Sequence, residues 1–333
     1  MKRAVVFMGG TRDAVTTFGR TLPTCGKALA ESGIVVPRAG RTGNKASGFS
    51  HQALGTPGFA GWADLQAEVA VAEGETLLLV IPALLKAPSE SRRDQVIKHL
   101  SSVADEIIVA SVVTDQLSLI NDAYLYQVAT WRTSKRLDSL VPKLLDNEAF
   151  VHETHLQPWY EGKQAHYHAV PQPDFTAGHP VAVVMAACGV ELVRTPSHGD
   201  VKASTRLGPI GVEADRLLAT YLRAKIRRFD PADTVVATAS RAALVRAEKM
   251  GWCAEPFWGW NRRLAEKALA RFEASNHRFA KAVWGGGWTI PYPMERPSNR
   301  IDFLDLDVQF IDQVQRYVST TANRVKRERT ASR

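Results

Sequence analysis

The amino-acid sequence predicts an α/β fold, a three-layer sandwich around a central, mainly parallel sheet, with a helical C-terminal half. Short apolar runs alternate with longer helical patterns, which is typical of a sheet covered by helices. The runs TLLLVIP (76–82) and EIIVASVV (106–113) are almost entirely apolar, as expected for parallel strands buried on both faces. We therefore expect a single domain over residues 1–320, with a sheet of about four or five strands.

The other elements follow from the same patterns. Residues 38–62 are rich in Gly, Ser and Thr, and this composition indicates a long mobile loop. Residues 321–333 are strongly basic, and we expect a disordered tail there. The remaining predicted elements are strands at 4–7, 33–37 and 166–171, and helices at 15–32, 90–103, 116–145, 178–190, 211–228, 233–249 and 260–282.

Composition limits the classes of function. The formal net charge is +8, which favours anionic partners such as a nucleotide or an acidic glycan. No helix-turn-helix, RNA-binding or zinc-finger pattern is present, so no nucleic-acid partner is expected. No apolar run has the length of a membrane span, and the three cysteines lack disulfide or zinc spacing. We expect a cytoplasmic protein; the sequence leaves its oligomeric state open.

The stretch FMGGTRDAVTTFGRTL (7–22) follows the first predicted strand directly. A strand that runs through a Gly-rich turn into a helix is typical of a phosphate site, because the helix N-terminus offers free N–H groups. The spacing G-x-x-x-x-G-K-[ST] is absent, since no Lys follows the glycines. A plain strand-to-helix turn without a ligand remains an equal alternative.

Several stretches, in this order over most of the chain, resemble the bacterial sulfotransferase family. They are GGTRDAVTTFGRTL, ESGIVVPRAGR, LQPWYEG, YHAVPQPDF, GHPVAVVMAACGV, STRLGPIGVEADRLL and RFEASNHRFAKAVWGGGW. The resemblance implies a P-loop-like sulfotransferase fold. It also implies transfer of a sulfuryl group from 3′-phosphoadenosine 5′-phosphosulfate to a glycan or small-molecule hydroxyl.

The resemblance implies a 5′-phosphate site at the first turn. Gly9 and Gly10 would allow close approach of the backbone, and Thr16 and Thr17 would supply hydroxyls. Arg12 falls where the family has a Lys, and would be both the phosphate-binding cation and a catalytic group.

The 3′-phosphate site and the base depart from the family. Val113 or Thr114 stands where an Arg is expected, and Ile120 or Asn121 where a Ser is expected. No acid or histidine follows the strand 76–82 before Glu90, so His51 is the candidate base. The side chains that could still bind the donor here are Ser118, Asn121 and Arg206.

These departures leave alternatives open. The first is a non-catalytic protein of sulfotransferase fold that serves as a binding or assembly module. The second is a transferase with another nucleotide donor, for which no metal-binding D-x-D sequence is present.

A metal site in HETH (152–155) is disfavoured because its spacing differs from H-E-x-x-H, and no metal is expected. The tryptophan-rich segments 252–263 and 283–297 could stack on sugars, but a hydrophobic seal between helices is favoured.

Overall fold

A computed structural model describes residues 1–44, 48–56, 58–86, 90–194 and 206–331. The chain forms two compact units by its own contacts, and the single domain expected over residues 1–320 stays a prediction. We call them the sheet unit, formed by Met1–Asp115, Glu148–Ser204 and Phe272–Pro291, and the helical unit, formed by Gln116–Asn147, Thr205–Arg271 and Tyr292–Arg333.

All strands formed by the described residues lie in the sheet unit. Five of them form one parallel sheet in the order β2-β5-β1-β6-β7, and β3 pairs with β4 in a separate antiparallel hairpin. The strands are β1 Arg3–Gly9, β2 Ile34–Val35, β3 Thr42–Asn44, β4 Gly48–Ser50, β5 Thr76–Val80, β6 Glu106–Val113 and β7 His166–Pro171. The predicted α/β class and the mainly parallel sheet are confirmed, and the three predicted core strands are β1, β5 and β6.

The described residues also form thirteen α-helices. They are α1 Arg12–Thr21, α2 Gly26–Glu31, α3 Trp62–Ala70, α4 Glu90–Leu100, α5 Gln116–Ala129, α6 Leu137–Leu145, α7 His152–Tyr160, α8 Gln172–Ala177, α9 Pro180–Ala187, α10 Pro209–Lys225, α11 Thr234–Lys249, α12 Arg262–Trp284 and α13 Val308–Ala331. The predicted helical C-terminal half is confirmed.

Helices cover both faces of the sheet. Side chains alternate along β1, so that Val5 and Phe7 pack on one face and Val6 on the other. The first face is covered by α1, α2, α8 and α9, with Phe18 of α1 stacked on Phe7 at 4.2 Å between ring centroids. The second face is covered by α3, α4 and α7, which contribute Leu65, Ile97 and Trp159 respectively. The sheet unit therefore has the three layers that its apolar strands predict.

Several local predictions differ from the structure, among them the helix 116–145, which is divided into α5 and α6. The predicted helix 15–32 is divided at a 3₁₀ turn, Leu22–Cys25, because Pro23 has no N–H with which to continue an α-helix. The predicted mobile loop 38–62 contains the β3–β4 hairpin and a second 3₁₀ turn, Gln52–Gly55. The predicted disordered tail 321–333 is helical as far as Ala331.

The helical unit is organised by α10 and α13. The Tyr317 hydroxyl of α13 donates a hydrogen bond of 2.6 Å to Asp215 of α10, and further along both helices Lys326 lies over the ring of Tyr221. Because residue numbers rise together along the two contacts, α10 and α13 run in the same direction. The apolar side of α13 explains why its end is ordered, since Val325 is fully buried.

Candidate functional site

The first strand-to-helix turn lies at the topological switch point of the sheet. From β1 the chain passes to β2 on one side, and from β5 it crosses to β6 on the other side. Ligands of open parallel sheets bind in the crevice outside the carboxyl ends of the strands at such a point. Gly10 and Thr11 form the turn, and the Thr11 hydroxyl caps α1 by accepting a hydrogen bond of 3.1 Å from the Ala14 N–H.

Internal packing accounts for both glycines of this turn. Gly10 has φ +146, and a Cβ built on it would lie 1.8 Å from the Val112 carbonyl oxygen of β6. Gly9 has φ +90, and a Cβ there would lie 2.2 Å from the side chain of Val15. The space that a glycine leaves open in a phosphate loop is filled here by the protein's own strand and helix.

The polar residues predicted for the 5′-phosphate are spread along α1. Arg12 is the first helical residue and is exposed to solvent. Thr16 is four residues further on, which is about 6 Å along the helix axis, and Thr17 follows it; both are half-buried. Of these three side chains, Arg12 is therefore the one at the N-terminus of the helix, where an anion would be bound.

The structure does not support His51 as a general base. Its side chain is fully buried, its Nδ1 accepts a hydrogen bond of 3.0 Å from the Val80 N–H, and its Nε2 lies 2.9 Å from the Pro37 carbonyl oxygen. Because Nδ1 is the acceptor, Nε2 carries the proton and donates it to Pro37. Burial lowers the pKa of His51 to about 4. The imidazole is a neutral structural group without access to a substrate hydroxyl.

The residues predicted for the 3′-phosphate belong to the helical unit. Asn121 is buried, and its carboxamide donates to the Phe257 carbonyl at 3.0 Å and accepts from the Gly259 N–H at 3.1 Å. This amide therefore holds the segment 257–259 against α5. Ser118, one turn earlier on α5, is half-buried.

Arg206 is engaged with an acid of the same unit. Its guanidinium makes two contacts with the Asp122 carboxylate, at 3.0 and 3.2 Å. Such a forked pair compensates the positive charge that a 3′-phosphate would need. Burial lowers the pKa of Arg206, with a smaller contribution from the nearby charge of Arg296.

The HETH segment is also held by protein contacts. His152 is buried with its Nε2 2.8 Å from the Thr114 carbonyl oxygen, and burial lowers its pKa to about 4. Both oxygens of Glu153 accept hydrogen bonds from Arg278, at 2.6 and 2.7 Å. Burial also lowers the pKa of His155. Within the described part of the chain, no group of three or more His, Cys, Asp or Glu is arranged to hold a metal ion.

The residues present therefore do not fit the donor 3′-phosphoadenosine 5′-phosphosulfate. The 5′ turn is filled by β6 and Val15, and the remaining arginine of the predicted 3′ site is paired with Asp122.

No family model, curated protein or solved structure matches this chain. In the described residues, no helix is both long and apolar enough to cross a membrane.

Burial decides between the two interpretations of the first tryptophan-rich segment, 252–263. Trp252, Trp258 and Trp260 are at most 4% exposed, which fits a hydrophobic seal and leaves their faces closed to a sugar. The Trp260 indole N–H donates to the Leu117 carbonyl at 2.9 Å within the helical unit. A cleft lined by basic residues in the helical unit is not among the predicted sites; its signal in the sequence is the pair of basic runs KIRR (225–228) and KRER (326–329).

Proposed function

We propose that this chain is a non-catalytic α/β protein of sulfotransferase-like fold that acts as a binding or assembly module. The ordered series of motifs and the parallel sheet covered by helices on both faces support the fold. The net charge of +8 supports an anionic partner.

The observation that carries the proposal is the environment of His51. Sulfuryl transfer needs a base that reaches the acceptor hydroxyl and takes its proton. Both ring nitrogens of His51 are occupied by backbone groups, and the ring is fully buried. A base with a pKa of about 4 also has little driving force to accept a proton at neutral pH.

The donor contacts support the same conclusion. Transfer of a sulfuryl group depends on positioning and charge stabilisation, as phosphoryl transfer does. At the first turn, the space beside both glycines is occupied by Val112 and Val15. The charge of Arg206 is compensated by the Asp122 carboxylate. Of the predicted phosphate-binding cations, Arg12 is the one at a helix N-terminus, so it is the residue to change in a test of donor binding.

Two assays on the full chain test the proposal. We expect no transfer of ³⁵S from labelled 3′-phosphoadenosine 5′-phosphosulfate to sulfated-glycan precursors or phenols. We also expect Arg12→Ala to leave the calorimetric titration with adenosine 3′,5′-bisphosphate unchanged, because the first turn does not hold the phosphates of the donor. Transfer that is lost in Arg12→Ala but retained in Arg38→Ala, at another exposed arginine, would overturn the proposal and assign catalysis to the turn.

A further inference from the structure

A basic cleft lies in the helical unit where α10 and α13 end. Its volume is about 610 Å³, and five of its seven lining residues are cationic. We call it the basic cleft; it is lined by Lys225, Ile226, Arg227, Arg228, Lys326, Arg329 and Thr330. It is formed entirely by residues of the helical unit.

The parallel packing of two helices brings these charges together. Asp215 contacts Tyr317, and Lys326 lies over Tyr221, so both C-terminal ends meet at one end of the pair. Lys326 and Arg329 are three residues apart, which places them on one side of α13 with about 5–6 Å between their Cβ atoms. They share the cleft with the residues that follow the end of α10 at Lys225.

The positive charge of the basic cleft exceeds the negative charge near it. Arg329 lies 3.5 Å from Asp233, and the two helix C-termini contribute about one negative charge together. In the described chain, Lys225, Arg227 and Arg228 make no ion pair within 4 Å. About three positive charges are therefore left without compensation, which is a repulsive arrangement unless an anion binds.

The lining selects the chemistry of that anion. Three arginines present the forked donor geometry that matches phosphate oxygens, and Thr330 adds a hydroxyl. The lining contains no aromatic ring, so it lacks the stacking surface on which proteins bind nucleic-acid bases. We propose that the basic cleft binds a compact ligand that carries two or more neighbouring phosphate groups.

Calorimetric titration of the full chain with inorganic triphosphate tests this proposal. We expect saturable binding that weakens as salt is raised, because the contacts are ionic. The double variant Lys225→Gln/Arg227→Gln should weaken binding by at least about tenfold, since contacts to charged groups are worth that much. Both side chains are exposed, so the fold should persist, as circular dichroism would verify.

The matched control is Arg324→Gln/Arg327→Gln. It removes the same charge from α13, but neither residue lines the cleft, and Arg324 pairs with Glu328 at 2.6 Å. We expect this control to change affinity less than about threefold. Absence of saturable binding to triphosphate, or an equal loss in the control, would overturn the proposal.

Two further probes identify the source of the phosphates. Vesicles that contain phosphatidylinositol bisphosphate distinguish a lipid headgroup from a free polyphosphate, and either result supports the cleft if Lys225→Gln/Arg227→Gln reduces it. A duplex oligonucleotide that binds more tightly than triphosphate, with equal loss in both double variants, would instead indicate a diffuse nucleic-acid surface and contradict the proposal.

Discussion

His51 shows how a side chain can take the place of a strand. The edge strand β2 pairs with β5 only at Thr76 and Leu77. Further along β5, the His51 backbone N–H donates to the Val80 carbonyl at 2.6 Å, and the His51 ring accepts from the Val80 N–H. Both hydrogen-bonding groups of Val80 are thus satisfied by one histidine, which explains why a polar ring is fully buried.

This role predicts a loss of stability in His51→Ala. The change leaves the Val80 N–H and the Pro37 carbonyl without their partner and removes a fully buried ring. We expect the free energy of unfolding to fall by about 2–4 kcal/mol, measured by urea denaturation. The exposed His277→Ala on α12 should change it by less than about 0.5 kcal/mol. A His51→Ala protein of unchanged stability would contradict the structural role.

Gly10 permits a second test at the scale of one residue. In a phosphate loop, Gly→Ala would abolish ligand binding, whereas here the added Cβ would meet the Val112 carbonyl at 1.8 Å. We expect Gly10→Ala to lower the free energy of unfolding by more than about 3 kcal/mol. Gly189 has φ +67 but open space around its Cβ position, so Gly189→Ala should lower it by only about 1 kcal/mol. Similar losses at the two glycines would contradict the packing of the turn against β6.

At the scale of elements, α10 and α13 are joined through a buried acid. Asp215 is fully buried and accepts from the Tyr317 hydroxyl at 2.6 Å. Burial raises the pKa of Asp215 to about 7, against the opposing effects of the Tyr317 hydroxyl and the Trp131 indole. The unfolded chain ionises this group near its usual pKa of about 4. The contribution of Asp215 to the free energy of unfolding is therefore largest below pH 4, falls as the pH rises from 4 to 7, and is constant above pH 7.

Asp215→Asn should therefore stabilise the protein at high pH. The amide keeps an acceptor for Tyr317 without a buried charge. We expect an increase of about 1–3 kcal/mol in the free energy of unfolding at pH 8, and little change at pH 4. The exposed Asp312→Asn on α13 is the control and should show no such difference between the two pH values. Destabilisation of Asp215→Asn at pH 8 would show that the carboxylate is ionised and needed.

Elements were predictable where one local signal determined them. The strands β1, β5 and β6 are apolar because both of their faces are buried, and this leaves a mark in the sequence. The β3–β4 hairpin and the end of α13 leave weaker marks, because polar and basic residues dominate both segments. The site was harder to predict, since the partners that occupy His51 and Arg206 are 29 and 84 residues away. Sequence spacing alone does not reveal such pairs.

At the scale of the whole molecule, the two units should respond to acid in opposite directions. In the sheet unit, burial lowers the pKa of His51 and His152 to about 4, against about 6.5 in the unfolded chain. Their neutral forms stabilise the fold above pH 6.5, and that contribution is lost as the pH falls from 6.5 to 4, by up to about 3 kcal/mol for each histidine. Asp215 acts in the opposite sense in the helical unit.

Hydrogen exchange measured at pH 7 and pH 5 would test this prediction. After correction for intrinsic exchange rates, we expect less protection at pH 5 for amides of β5 and β6, and more for amides of α10 and α13. In Asp215→Asn, the gain in α10 and α13 should disappear while the loss in β5 and β6 remains. Changes of the same sign in both units of the wild-type chain would contradict the prediction.

The chain passes between the two units five times, and this path has a consequence for synthesis on the ribosome. No continuous fragment contains one whole unit without part of the other. A nascent chain that has emerged only to Pro171 contains all five strands of the parallel sheet. Leu156 and Ala169 are then still without Phe279 and Ile290, which complete their apolar cluster. These side chains stay exposed until about a hundred more residues have been translated, which takes roughly 5–20 s at 5–20 residues per second. We therefore expect chaperones that bind apolar segments to bind the nascent protein during that interval.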